Sequence, residues 1–395
     1  MSCRQGIAML WNELDGPHLC KVAIGGDFLP GNKLALAGLD VDSWDRCAAL
    51  LDAHFADIDV AFVNLETSID TKDLVARPKA GIGDSVWAPP ESLAYLRPLN
   101  TRVVGLANNH SYDYGAKGTR RTTQALAALG IVPVGLCSSL SELPSVYVWQ
   151  GPGIARVGFW ASARVTDSPA TRRRQGVEPA TVRRGKQALQ ELDRQGATCR
   201  IALLHAGLEG KSYPESDDAE LIDQLANLGF DVVAACHSHR ISGYRRLQSG
   251  SSSESGRPSH CFYGLGSLMS GYMYSDLERE GLLAVLCIDG EGRVASVEAR
   301  PIILREQGWG SVPSDNEARI ILNRFSDLST SLSSGHWQQE SPDRTGDLVS
   351  RHMDDFVAAW RSLGLKGLIT KVKRLRIRHV RRFLRTLSVR SSKSN

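Results

Sequence analysis

The chain has 395 residues, with 47 Lys and Arg against 43 Asp and Glu, and 42% of it is hydrophobic. A chain of this size and composition can bury a core, which excludes disorder over most of its length. The longest uninterrupted apolar runs, such as Val232–Cys236, fall far short of the ~18 residues a membrane span needs.

The N-terminus lacks the apolar region and cleavage site of a signal peptide, so a cytoplasmic protein is expected. Its charge is uneven. Residues 366–395 carry 11 Lys and Arg and no acid, leaving 36 against 43 acids in residues 1–365. The eight cysteines form no CxxC pair and several lie in apolar runs, which fits a reduced compartment better than a disulfide framework.

In chain order, apolar β-branched runs predict strands over Lys21–Gly25, Val60–Asn64, Arg102–Ala107, Val146–Trp149, Ala155–Ala161, Arg200–His205 and Asp231–Cys236. Helices are expected over Ser43–Phe55, Gly115–Leu129, Val182–Arg194 and Glu215–Leu228. The alternation argues for an α/β fold with buried strands. Past residue 255 the pattern changes to Cys261–Leu265, Leu282–Asp289 and Arg293–Leu304, with an Asp289-Gly290 turn that signals an antiparallel hairpin. Residues 248–259 read as a flexible loop and 306–348 as a linker.

Polar residues cluster where those strands end. The first ends in Gly25-Gly26-Asp27, the second in Asn64-Leu65-Glu66, and the third in Asn108-Asn109-His110, followed by Asp113. Later strands end at His205, with Glu209 four residues on, and at His237-Ser238-His239. Open α/β sheets bind ligands at the carboxyl ends of their strands. Gathering this set away from water would be costly without a cation. Mixed Asp, Glu, Asn and His ligation suits Zn, Mn or Fe better than Ca. The blander alternatives are helix caps for Asp27 and Glu66, a turn for Asn109, and hydrogen-bonded structural histidines.

Two other stretches carry charge. Residues 164–184 hold six arginines, at 164, 172, 173, 174, 183 and 184, and would attract an anionic polymer or a phosphorylated substrate unless they form only a solvated loop. Leu365, Leu368, Ile369, Val372, Leu375, Val380, Phe383, Leu384 and Leu387 recur at helical steps among basic residues. That pattern suits an amphipathic helix on an anionic membrane surface, here the inner face, or a helix packed on the body or a partner. No motif for specific nucleic-acid binding accompanies it.

The order of these motifs resembles the CapA family of bacterial capsule and poly-γ-glutamate synthesis proteins, whose domain is similar to a calcineurin-type metallophosphoesterase. The run Leu106-Ala107-Asn108-Asn109-His110, then Asp113, Gly115, Gly118, Thr122 and Leu126, carries the resemblance most specifically. Asn64-Leu65-Glu66, His205-Ala206-Gly207-Leu208-Glu209, His237-Ser238-His239 and Tyr263-Gly264-Leu265-Gly266-Ser267 also fit. Ala206, Ser238 and Ser267 depart from the family's usual Trp, Pro and Asn. Leu29 stands where metallophosphoesterases carry the histidine of Asp-x-His.

The resemblance implies a four-layer α/β/β/α sandwich over residues 18–305, followed by the linker and a C-terminal helical extension over 349–395. It implies metal ligation by Asp27, Glu66, Asn109, His205, His237 and His239, with Glu66 as the bridge between one or two ions. It gives His110 the role of general acid, and Asp113 that of orienting His110 or capping the next helix. The implied function is hydrolysis of a phosphoester or γ-glutamyl amide during formation or processing of a surface polymer. The alternatives are a non-catalytic, membrane-peripheral part of a polymer synthase and a phosphoesterase acting on a small metabolite.

Overall fold

The computed structural model describes residues 2–4, 6–13, 20–31, 38–77, 85–151, 155–166, 168–248, 256–273 and 275–340. Two sheets organise them. The first runs Ser2–Arg4, Ile7–Asn12, Val294–Leu304, Glu280–Ile288, Cys20–Leu29, Val60–Leu65, Thr101–Gly105, Val132–Val134. Ser267–Ser270 lies parallel beside the outgoing end of Cys20–Leu29. The second sheet runs Val146–Gln150, Arg156–Ala163, Cys199–Ala206, Val232–His237, Ser259–Phe262, Tyr244–Leu247. Central neighbours in both sheets are parallel, so their carboxyl ends share an edge within each sheet. The expected hairpin is present: Glu280–Ile288 pairs antiparallel with Val294–Leu304.

Alternate residues of these strands face opposite sides, and both sides are apolar because both are covered. Val22, Ile24 and Phe62 of the first sheet meet Phe159, Ile201 and Leu203 of the second in one core between the sheets. Phe62 and Phe159 meet edge-on there at 5.1 Å. The intervening residues Ala23, Ala61 and Val63 turn outward onto Trp44, Leu51, Phe55 and Leu126 of the helical layer. On the far side, Ala202, Leu204 and Val233 pack on Leu189, Leu192, Ile222 and Leu225. The result is the expected α/β/β/α sandwich, with a helical layer over each sheet.

Three expectations need correction. The stretch read as a linker, 306–348, contains the helix Asp315–Ser334. Ser314 and Glu317 form a reciprocal capping box at its start. Ile321, Leu322, Phe325 and Leu328 recur at helical spacing and join the core between the sheets. The folded body also begins before residue 18, since Ile7–Asn12 pairs with Val294–Leu304. The Arg246 guanidinium lies 3.5 Å over the ring of Trp11. Finally, the expected helix Ser43–Phe55 is broken into Val41–Ala48, a 3-10 turn Ala49–Leu51 and a short turn Asp52–Phe55.

Cys20, Cys137, Cys199, Cys236, Cys261 and Cys287 are buried free thiols. Among the described residues no helix is long and apolar enough to cross a membrane. The basic stretch 366–395 lies outside the described residues.

Candidate metal centre

The candidate residues meet where the carboxyl ends of the two sheets come together. Asp27 leaves the first sheet from Cys20–Leu29, and Glu66 follows Val60–Leu65. Asn109 and His110 lie just past Thr101–Gly105. His205 lies near the end of Cys199–Ala206, and His237 ends Val232–His237. Backbone approach at this edge is close. A Cβ on Gly26 would sit 1.9 Å from the Gly266 carbonyl, which accepts from the Asp27 amide at 3.1 Å. Only glycine fits there.

His205 Nε2 is 2.7 Å from Asn109 Oδ1 and 3.4 Å from Glu66 Oε1. His237 Nδ1 is 3.9 Å from the same Glu66 oxygen. His239 Nδ1 is 3.1 Å from Asp27 Oδ2 and 3.3 Å from Ser267 Oγ. The structure therefore brings the six expected ligands together. Glu66, His205 and His237 form one group, Asp27, Glu66 and His239 a second, and Asp27, His205 and Cys236 a third. Asn109 touches the first. Glu66 belongs to the first two, as a bridging carboxylate would.

Two further observations fit a cation to this donor set. Both carboxylate oxygens of Glu66 and the Nδ1 of His237 are buried without a hydrogen-bond partner. Such groups are costly to bury unsatisfied. His237 and His239 also adopt positive φ, +106° and +55°. Left-handed backbone at a non-glycine residue costs on the order of 1–3 kcal/mol and clusters at functional sites. The His237 amide meanwhile donates to Asp27 Oδ2 at 3.0 Å.

Electrostatics couple these groups. Burial would push the Glu66 carboxyl up, but His205, His239 and His237 together bring it well below the ordinary carboxylate range. Burial would lower His239, but Glu66, Asp27 and Glu209 push it up to about 10. His237 is raised in the same way: its burial is outweighed by Glu66 and Glu209. Burial holds His205 below its ordinary value against the pull of Glu66. His239 thus carries charge beside the buried carboxylates, while neither oxygen of Glu66 has a hydrogen-bond partner. A bound cation would displace that proton.

His110 lies at the side of this cluster. Its Nδ1 is 2.9 Å from Asp113 Oδ2, and its Nε2 faces Glu66 Oε1 at 4.0 Å. Asp113 also accepts from the Val86 amide at 2.7 Å. The following helix, Gly115–Ala128, starts at Tyr114, whose side chain makes no cap hydrogen bond, while Asp113 meets the His110 ring. Glu209 is exposed at the rim. Partial desolvation pushes its carboxyl up, and His237 and His239 outweigh that and hold it below its ordinary range.

The arginine-rich stretch does not form one patch. Arg184 is buried and forked onto Glu178, and Arg164 pairs with Asp218 at 2.9 Å. Arg172, Arg173, Arg174 and Arg183 are exposed.

Sequence reasoning missed three participants. Asn64 lies two residues before Glu66 and Asn108 directly before Asn109, and Cys236 places its sulfur 3.7 Å from His205 Nδ1. The first two stood inside the strand-end motifs, and only their buried contacts give them a part.

The family model described as "Bacterial capsule synthesis protein PGA_cap" matches residues 21–272, which hold every residue of the cluster. The chain belongs to this family. It is 25% identical over 187 residues to the capsule biosynthesis protein CapA of Bacillus anthracis, covering 46% of this chain and 45% of that protein. It is 28% identical over 152 residues to the PGA biosynthesis protein CapA of Bacillus subtilis strain 168, covering 38% and 40%. The chain thus spans less than half the length of these two relatives. Among solved structures, the calcineurin-like phosphoesterase YfkN from Bacillus subtilis matches at 13% identity with a TM-score of 0.42, covering 79% of this chain and 98% of that one. A 5'-nucleotidase precursor from Thermus thermophilus matches at 13% identity with a TM-score of 0.44, covering 80% and 59%.

Proposed function

We propose that this PGA_cap protein is a metal-dependent hydrolase acting on a phosphoester or a γ-glutamyl amide in the formation or processing of a capsular or poly-γ-glutamate polymer. The observation that carries this reading is Glu66, a buried carboxylate with both oxygens unpartnered amid His205, His237 and Asp27. Asp27, Glu66, Asn109, His205, His237 and His239 would hold one or two divalent ions. The nitrogen and oxygen donors suit Mn, Zn or Fe. Such an ion supplies a Lewis acid and lowers the pKa of bound water toward neutrality.

The chain's own groups provide the rest. Asp113 fixes His110 through Nδ1 and stabilises its imidazolium. Nε2 is then the atom that carries a proton toward the leaving oxygen or nitrogen. The burial of Asp27, Glu66 and His205 keeps bulk water from competing for these contacts. An anionic substrate fits the exposed arginines at 172–174, which lie outside the buried cluster. Purified protein should contain divalent metal and should release phosphate or glutamate from a panel of phosphoesters and γ-glutamyl peptides. A protein that takes up no metal, and whose cellular role survives His237→Ala, would overturn the reading.

A further inference from the structure

Arg77 ties the His110 loop to the arginine-rich stretch. Its amide donates to the Asp113 carbonyl at 2.7 Å, and the Asp113 carboxylate meets the His110 ring at 2.9 Å. The Arg77 side chain then runs over Gly115, where an added Cβ would lie 3.0 Å from Arg77 Cδ. Its Nη1 donates to the Ser168 hydroxyl at 3.0 Å. Ser168 opens a narrow hairpin that carries Arg174. The Val177 amide donates to the Ser168 carbonyl, the Ala170 amide to the Val177 carbonyl and the Thr171 amide to the Arg174 carbonyl, each at 2.9 Å.

Both charges reach Tyr112, two residues past His110, whose ring is buried in the core between the sheets. Burial raises its phenol, and the charges of Arg77 and Arg174 each act against that rise. Two guanidiniums from distant segments thus act on one hydroxyl. Both are exposed, and among the described residues neither forms an ion pair with a carboxylate. Arg164 and Arg184 of the same stretch differ, since they hold Asp218 and Glu178. Like charges brought together repel, and an anion between them removes that cost. A guanidinium fork matches the paired oxygens of a carboxylate or a phosphate.

We propose that Arg77 and Arg174 form an anion subsite beside the metal centre, which grips an acidic group on the substrate unit next to the scissile bond. The two arginines are then specificity-determining residues. The substrate class is a polyanion, a chain that carries a carboxylate or a phosphate on successive units, and not a small metabolite with a single ester. This deepens the hydrolase reading and rests on it for what the subsite serves. Binding of the anion itself does not depend on metal.

The test uses the full chain dialysed free of metal, so that binding is read apart from hydrolysis. A γ-linked glutamate hexamer and inorganic tripolyphosphate are titrated into it at low salt by isothermal calorimetry. Arg77→Ala and Arg174→Ala should bind the same probe about three- to tenfold more weakly than the wild type, the scale between an exposed ion pair and a charge-assisted hydrogen bond. The probe that responds names the acidic group. Arg102→Ala removes an exposed charge at the far end of Thr101–Gly105 and should lose less than about twofold. Ser168→Ala cuts the contact of Arg77 with the hairpin but keeps the charge, and should bind more tightly than Arg77→Ala.

A wild type that binds neither probe overturns the subsite, and so does a loss in either arginine variant no larger than that of Arg102→Ala. An equal loss in Ser168→Ala also overturns it, since Arg77 would then serve only to hold the hairpin. A wild type that binds a probe through both arginines, yet cleaves no phosphoester or γ-glutamyl peptide when metal is restored, supports the subsite and overturns the hydrolase reading. A wild type that cleaves its substrate while both variants bind the probes as it does overturns the subsite and leaves that reading standing.

Discussion

Asp113 and His110 are three residues apart in sequence and face each other at 2.9 Å, Oδ2 to Nδ1, with the carboxylate nearly fully buried. A buried carboxylate on one imidazole nitrogen fixes the ring and leaves the other nitrogen to the pocket. His110→Ala should lower kcat by about 10²–10⁴-fold, the range for a lost general acid. Metal content should be unchanged. Asp113→Asn should keep the ring in place but lose the charge that stabilises its imidazolium, lowering kcat with little change in KM. Steady-state kinetics with parallel metal analysis measures both.

Metal should stabilise the fold, because neither buried oxygen of Glu66 has a hydrogen-bond partner. Ligand at a hundred times its dissociation constant adds about 2.7 kcal/mol. Mn or Zn should therefore raise the melting temperature of the wild type and not that of Glu66→Ala. Differential scanning calorimetry with and without a chelator gives the comparison.

Acid should weaken the protein at a place far from the metal centre. His260 is fully buried beside Tyr244, whose hydroxyl lies 2.7 Å from its Nδ1. Burial, helped by the Arg246 charge, holds this imidazole down at about 3. The unfolded chain titrates near ~6.5, so between these values it takes up a proton that the folded chain refuses. The group's contribution to stability is intact above ~6.5 and is lost as pH falls, at about 1.4 kcal/mol per pH unit. Urea unfolding at pH 6.5 and 5 should show this loss in the wild type. His260→Gln should be less sensitive by about 2 kcal/mol over that interval.

The buried pair Arg184–Glu178 should be dispensable only as a pair. Arg184 Nη2 meets Glu178 Oε2 at 2.8 Å, and both side chains are almost fully buried. Arg184→Met strands a buried carboxylate and should cost about 3–5 kcal/mol. Adding Glu178→Gln to it should recover part of that loss in chemical denaturation.

The strands that carry the centre were legible because each is a β-branched run ending in a polar residue. Val60–Leu65 then Glu66, and Val232–His237, are the clearest cases. The helix Val182–Arg194 was legible to the residue. Asp315–Ser334 was not, because its many serines mask a regular Ala318, Ile321, Leu322, Phe325 stripe that only the core reveals. The short strand Ile7–Asn12 has no pattern of its own and is defined by its partner Val294–Leu304. The six candidate ligands stand among the polar residues at the strand ends, and the family resemblance singled them out from that wider set. The part of Asn64 and Asn108 could not be read from sequence, because a buried carboxamide's task depends on which donors and acceptors surround it. The arginines of 164–184 show the reverse failure. Sequence counts charge and cannot say that Arg184 and Arg164 have already spent theirs on Glu178 and Asp218.

The donor set is split evenly between the sheets. Asp27, Glu66 and Asn109 come with the first, and His205, His237 and His239 with the second. A cation gripped by both halves would act as a rivet across the sandwich seam. Shearing one sheet against the other would then break coordination before it broke either sheet. Slow amide exchange along Cys20–Leu29 and Val232–His237 should respond together to metal, as two halves of one latch.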